Sequence, residues 1–213
     1  IDGVLDEAVW SQAKLITDFH QYQPVEYAAP TQRTEVRIFY TEEALYVAAR
    51  LWDTEANTIS ANVLRQGQDL GSDDVFAMIL DPYLDRRSGY RFEINSNGVR
   101  WEGLFQNVTQ VESSWDGIWQ AEAQTDDQGW TGEIRIPFQT ISFSTDSSEW
   151  GVNFERTIKR NNERIAWVSR NPQVNPGIAG SITGLFGMQQ GRGLDIIPSV
   201  VVRAERKYGV SPA

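Results

Sequence analysis

The sequence predicts an all-β protein, an antiparallel sandwich of two sheets with about ten strands and little helix. Three observations carry that expectation. Apolar residues recur at every second position in short runs, each run is closed by turn-forming residues, and no long stretch has helical periodicity.

The elements follow in chain order. Asp6 can cap one short helix over 6–10, where Ala8 and Val9 tolerate the conformation. Residues Phe19 to Gln32 carry proline among polar residues and read as a loop. Val36, Ile38 and Tyr40 alternate with Arg37 and Phe39, and Thr41-Glu42-Glu43-Ala44 turns the chain into Leu45 to Trp52, giving a hairpin. Val75 to Leu80 is continuously apolar and stops at Asp81-Pro82, as a buried central strand must when a residue without an N–H arrives. Tyr90, Phe92 and Ile94 lead to Asn97-Gly98, a type I′ turn pair, and on to Val99, Trp101 and Phe105. Trp119 to Gln124 and Trp130 to Ile136 flank the turn at 126–129, and Pro137 ends that pair. Val152, Phe154, Arg156 and Ile158 pass through Asn161-Asn162-Glu163 to Ile165 to Val168, and Leu185 to Met188 reads as a short late strand. Asn171 to Ser181 is a second unpatterned loop, and no repeat of fixed period is present.

A length of 213 residues suits one large domain, here residues 1–190. Residues 191–213, where Leu194, Ile196, Val200 and Val202 alternate again, read as a last strand or a linker toward a further C-terminal region. The start at Ile1, with no Met, reads as a processed or trimmed end.

Composition excludes several classes. A formal net charge of −10 disfavours nucleic acid and anionic membranes as partners. The charge is uneven: residues 1–155 hold 26 acidic and 10 basic side chains, residues 156–213 hold 3 and 9. Either the two regions pair within one fold or the basic end faces something else. With no cysteine, a disulfide framework, a thiolate metal site and a cysteine nucleophile are all ruled out. The lone histidine, His20, leaves no multi-histidine centre, and no Gly-x-Ser-x-Gly elbow accompanies it. No glycine-rich phosphate loop precedes a helix. Carboxylate pairs for glycoside hydrolysis depend on spacing in three dimensions, which sequence does not reveal.

Two cofactors have candidate ligands. Asp69, Asp73 and Asp74 belong to an acidic cluster that continues to Asp81 and Asp85, offering hard oxygen ligands for calcium, although the spacing matches no EF-hand. Met78 and Met188 are the axial candidates for haem.

Eight tryptophans are the compositional feature to explain. Trp101, Trp130, Trp150 and Trp167 fall within alternating runs or at their starts and are expected in the core. Trp52, Tyr83, Trp115 and Trp119 stand at strand ends beside Asp53, Asp81, Asp116 and Gln120, where a flat apolar ring can meet the C–H face of a sugar while polar neighbours hold its hydroxyls. These four are the candidate ligand-binding residues.

Several segments together carry a resemblance. Ile1-Asp2-Gly3-Val4-Leu5-Asp6-Glu7-Ala8-Val9-Trp10, the 36–47 hairpin with Asp53 after it, Asp74 through Asp81, Trp130-Thr131-Gly132-Glu133-Ile134-Arg135-Ile136-Pro137 and Trp150-Gly151-Val152-Asn153-Phe154-x-Arg156 are similar, in order, to the family 9 carbohydrate-binding module. Asp81-Pro82-Tyr83, Ser114-Trp115-Asp116 and Arg160-Asn161-Asn162-Glu163 resemble a bacterial subgroup in which the module follows a signal peptide and precedes an outer-membrane β-barrel. The resemblance implies a non-catalytic, immunoglobulin-like sandwich, often with structural calcium, placed in the periplasm or outer membrane. Its partner would be a glycan or another cell-envelope component, or its own C-terminal barrel. Sugar-binding members clasp the ligand between two tryptophans, whose neighbourhoods here read Leu70-Gly71-Ser72 and Asn175-Pro176-Gly177-Ile178, without an aromatic residue. The superfamily also contains haem carriers. Three roles therefore stand open: glycan binding, haem-based electron transfer, and a structural or interaction domain of a barrel protein.

Overall fold

A computed structural model describes residues 1–190; the expected tail over 191–213 lies outside the described residues. One short helix, α1 (Ala8–Gln12), precedes the strands β1 (Lys14–Ile16), β2 (His20–Gln23), β3 (Thr34–Tyr40) and β4 (Ala44–Trp52). Then come β5 (Val75–Asp81), β6 (Gly89–Asn95), β7 (Arg100–Asn107), β8 (Gln110–Glu112) and β9 (Gln120–Asp126). The chain continues through β10 (Gly129–Pro137), β11 (Glu149–Ile158), β12 (Glu163–Ala166) and β13 (Gly180–Thr183). A five-stranded sheet, ordered β1-β3-β4-β10-β9, faces an eight-stranded sheet ordered β2-β12-β11-β5-β6-β7-β8 with β13 on β11. The expected two-sheet antiparallel sandwich is the fold observed.

Period-two patterning sets which face each strand buries. Leu45, Val47, Ala49 and Leu51 of β4 meet Phe76, Met78 and Leu80 of β5, and all are within 1% of full burial. Trp130 and Trp150 are fully enclosed, as the alternation predicts, and Phe138 stands edge-on to Trp150 at 5.8 Å. Arg156 occupies an inward position of β11 as a buried cation at the open end of the sandwich. Its Nη1 donates to the Arg33 carbonyl at 2.9 Å and to Thr34 Oγ1 at 3.2 Å, and its Nη2 to the Trp52 carbonyl at 2.8 Å. Asp53 lies 3.7 Å from the same Nη2 and receives two bonds from Arg160, at 2.8 and 2.7 Å. Part of the charge asymmetry is thus neutralised inside the fold, the early acid against the late bases.

Several boundaries differ from expectation. The helix starts two residues late, and its N-cap is Glu7, with no side-chain cap from Asp6. The proline-bearing segment after Phe19 contains the edge strand β2, where no alternation is needed because β12 alone pairs with it. The late strand is β13, not Leu185 to Met188. β12 pairs with Glu155–Ile158 of β11 and β13 with Glu149–Val152, so the ten-residue β11 carries both end to end. Leu185 instead packs into the core at 4% exposure.

Candidate functional site

The outer face of the eight-stranded sheet carries a groove of charged side chains over one small residue. Because Phe76, Met78 and Leu80 point inwards, Val75, Ala77 and Ile79 face outwards. Ala77 lies opposite Glu155 of β11 on one side and Glu93 of β6 on the other. The two glutamates therefore flank a methyl-sized floor, their backbones about two strand spacings, or ~9.6 Å, apart. Arg91, two residues before Glu93 on the same face, bridges them: Nε donates to Glu93, and Nη2 donates to Glu155 at 2.7 Å. The Tyr22 hydroxyl donates to the other Glu155 oxygen.

The electrostatics follow from this packing. Burial opposes ionisation of Glu155, but the Arg91 charge and the Tyr22 hydroxyl together hold its carboxyl below the usual range. Burial, followed by the adjacent carboxylate, pushes the Tyr22 hydroxyl up, so it stays protonated and remains a donor. Gln23 and Arg164, paired across β2 and β12, form one wall, and Thr157, Lys159 and Asn162 line another part of a groove of about 320 Å³. A second cleft of about 320 Å³ continues it past Gln23, Arg91, Glu155 and Arg164 toward Val111 and residues 172–175. Such an array can hold hydroxyl groups by charge-assisted hydrogen bonds. For acid catalysis of glycoside cleavage, one carboxyl must be held protonated near neutrality, and Glu155 is shifted the opposite way.

Of the four aromatic candidates, Trp119 is corrected to a core residue. It is 2% exposed, its ring stands edge-on to Phe92 at 5.1 Å, and its indole N–H donates to Glu102 at 3.1 Å. Trp52 is half-buried on the outer face of the five-stranded sheet, where Arg50 stacks over its ring at 4.3 Å and Arg33 lies at 5.8 Å. It lines a cleft of about 530 Å³ with the N-terminal residues Gly3 to Asp6. Tyr83 is 50% exposed in the turn between β5 and β6. Trp115 is half-buried against Tyr90 and Phe92, at 5.1 and 5.9 Å, and lines a separate notch of about 310 Å³. That notch is shared with Trp101, which the alternation assigned to the core but which is half-buried on the outer face opposite Glu93. The four candidates therefore lie on three separate surfaces and in the core, and none lines the charged groove. Leu70 and Pro176 are buried, so neither neighbourhood offers that groove an aromatic face.

The aspartates proposed for calcium do not converge. Asp69 is exposed and accepts the Gly71 N–H at 2.8 Å. Asp73 spends both oxygens on Asn62, Val63, Ser72 and Asn95, and these bonds outweigh burial and hold its carboxyl low. Asp74 accepts the Lys159 N–H at 2.9 Å, and burial pushes it up. Asp69 closes a local turn, and Asp73 and Asp74 fasten loops to strand ends. Among the described residues, the carboxylate trio whose oxygens lie within 4.8 Å of one another is Asp2, Glu7 and Glu133. Glu133 already accepts the N–H groups of Asp2 and Gly3 and the Trp10 indole, clamping the N-terminal segment over the five-stranded sheet. The haem candidates are spent on packing: Met78 is fully enclosed and Met188 packs against the same core.

Sequence reasoning missed Arg91, Glu93 and Glu155. Charged residues alternating with core positions are the ordinary signature of a solvated sheet face. Only the pairing register, which sets both glutamates opposite Ala77, makes a site of them.

Comparison with known proteins is consistent with this architecture. The family model described as "Carbohydrate family 9 binding domain-like" matches residues 1–176. A carbohydrate-binding module family 9 protein from Caldicellulosiruptor kristjanssonii in complex with cellotriose superposes with a TM-score of 0.62 at 16% identity, covering 93% of this chain and 94% of that one. Its structure in complex with glucose gives 0.60 at 17% identity, with 93% and 94% covered. A protein from Bacteroides uniformis ATCC 8492, provisionally described as carbohydrate-binding, gives 0.63 at 14% identity, covering 81% and 87%. No curated protein matches the sequence. With the family model spanning most of the chain and the sandwich in place, the chain belongs to the family 9 carbohydrate-binding-like domains.

Proposed function

We propose that the protein is a non-catalytic saccharide-binding module and that its contact surface is the groove over Ala77. The observation that carries this reading is Arg91 bracketed by Glu93 and Glu155, a fixed set of donors and acceptors that lines the groove beside Gln23 and Arg164. Neighbours of the same fold are seen with cellotriose and glucose, which makes these the first probes. Titration calorimetry should give saturable binding, weakened about tenfold or more by Arg91→Ala and severalfold by Gln23→Ala, since a hydrogen bond to a charged group contributes ~1.5–3 kcal/mol. Gln23 is exposed, so Gln23→Ala leaves the melting temperature unchanged and separates binding from folding.

A second reading is an interaction domain of a larger envelope protein, and the aromatic-free groove favours it. Absence of binding to neutral and acidic oligosaccharides alike would decide for it. The extracytoplasmic location and the following β-barrel belong to this proposal on the strength of the sequence resemblance, and fractionation of the full-length protein tests them. Calcium is proposed on the strength of the sequence resemblance, with Asp2 and Glu7 beside the hydrogen-bonded Glu133 as the clustered carboxylates among the described residues. Its test is the melting temperature with calcium against EDTA: a rise of several degrees with calcium, lost in Glu7→Gln, is expected, and identical melts refute it.

A further inference from the structure

We infer that the notch walled by Trp101 and Trp115 is a second saccharide contact, so that the protein takes an oligosaccharide and not a single sugar ring; this rests on the saccharide-binding reading of the groove. The register connects the two places. Glu155, Ala77, Glu93 and Trp101 stand in one row across β11, β5, β6 and β7, a span of about three strand spacings, or ~14 Å. Trp101 packs against the small cluster of Leu70, Val75 and Val99, of which Leu70 and Val75 line the groove, and it also lines the notch, so it stands between them.

Both indoles are seated on glycine. A β-carbon at Gly103 would come within 3.0 Å of the Trp101 ring, and one at Gly117 within 2.7 Å of the Trp115 ring. Only residues without a side chain let the rings approach so closely. Trp115 is further fixed by Tyr90 and Phe92. Two half-exposed, immobilised rings on one cavity supply apolar faces at little entropic cost.

The polar lining is equally ordered. Arg100 donates its backbone N–H to the Gln66 side chain at 2.6 Å and accepts from the Gly67 N–H at 3.0 Å. Pairing on that edge of β7 resumes only at Leu104, opposite Glu112. Alternate residues direct their backbone groups to the same side, so the Glu102 N–H and C=O between them open onto the notch. With exposed Ser114 and Asp116, these groups suit the hydroxyls of a neutral sugar whose C–H faces lie on the indoles.

Cellobiose and cellopentaose are the probes. Wild-type protein should bind cellopentaose about tenfold tighter than cellobiose, a gain of about 1.4 kcal/mol. Trp115→Phe, which keeps an aromatic ring on Tyr90 and Phe92, and Asp116→Ala, at an exposed position, should each erase that gain while leaving cellobiose affinity unchanged. Arg91→Ala should weaken both ligands alike. In nitrogen-15 spectra the indole signals of Trp101 and Trp115 should move with cellopentaose and stay still with cellobiose. Equal affinity for both ligands, or a length gain intact in Trp115→Phe and Asp116→Ala, overturns the notch while the groove reading stands. Failure of wild-type protein to bind either ligand removes both.

Discussion

Asp53→Asn is the substitution expected to be most costly among the polar groups of the open end. Asp53 has a fully buried side chain, Arg156 beside it is 1% exposed, and Arg160 is 16% exposed. Burial pulls the Arg156 guanidinium down to about 10, so at neutral pH it is still charged and depends on Asp53 for compensation. Neutralising the aspartate removes the first of the carboxylates that compensate this charge and leaves the more weakly acting Asp74 and Glu163, with the carbonyls of Arg33 and Trp52 and the Thr34 hydroxyl as hydrogen-bond partners. Breaking one side of such a pair costs ~3–5 kcal/mol. In a chain of this length each kcal/mol lowers the melting temperature by ~2–4 °C, so the loss is ~6–20 °C. Arg156→Met removes the charge together with its desolvation cost and strands two carbonyls, for ~1–3 kcal/mol. The double variant should lose less than the sum by ~1–3 kcal/mol, because the two groups answer each other. Urea unfolding at pH 7, read as midpoints at constant slope, measures all three. If Asp53→Asn costs less than about 1 kcal/mol, or less than Arg156→Met, the buried cation does not depend on Asp53 and the reasoning is wrong.

The pH dependence has a separate origin at Glu102. Burial, and then the neighbouring Asp116 carboxyl, push Glu102 up despite the bond from the Trp119 indole. A raised carboxyl binds its proton more tightly folded than unfolded, so its contribution to stability grows as pH falls through the folded value toward the unfolded one. Glu102→Gln keeps an acceptor for Trp119 and should be neutral or slightly stabilising at pH 7, with a flatter stability curve as pH rises above the ordinary carboxylate range. A loss above about 1 kcal/mol at pH 7 contradicts this.

The sandwich was legible because each inward face is written twice, in alternation and in the turns that end it. Trp130 and Trp150 were assigned correctly for that reason. The edges were not legible: β2, β8 and β13 have three or four residues, too few for a period to register, and their partners specify them. Trp119 and Trp101 exchanged places relative to expectation. Trp119 immediately precedes β9 and falls inward, where Phe92 and Glu102 receive it. Trp101 sits on the outer row of β7, the parity of which follows from Glu93 opposite it. The aspartates of 69–74 looked like ion ligands because side chains of one type cluster in sequence. In space each turns to a different backbone N–H.

The same register that hid the groove also constrains its chemistry. Two glutamates across a single central strand invite comparison with a hydrolytic pair, and ~9.6 Å between their backbones does not forbid it. Arg91 weighs against it: it holds Glu93 and Glu155 on one guanidinium, and with the Tyr22 hydroxyl it favours the ionised form of Glu155, the opposite of the raised carboxyl an acid catalyst needs. What such an arrangement does well is to present fixed charges whose hydrogen-bonding capacity is only partly used, since Arg91 retains donors and the glutamates retain lone pairs. A ligand rich in hydroxyls completes those bonds without displacing the ion pairs. An apolar or strongly charged ligand would have to break them, at a cost that the groove, lacking an aromatic wall, has no apolar contact to offset.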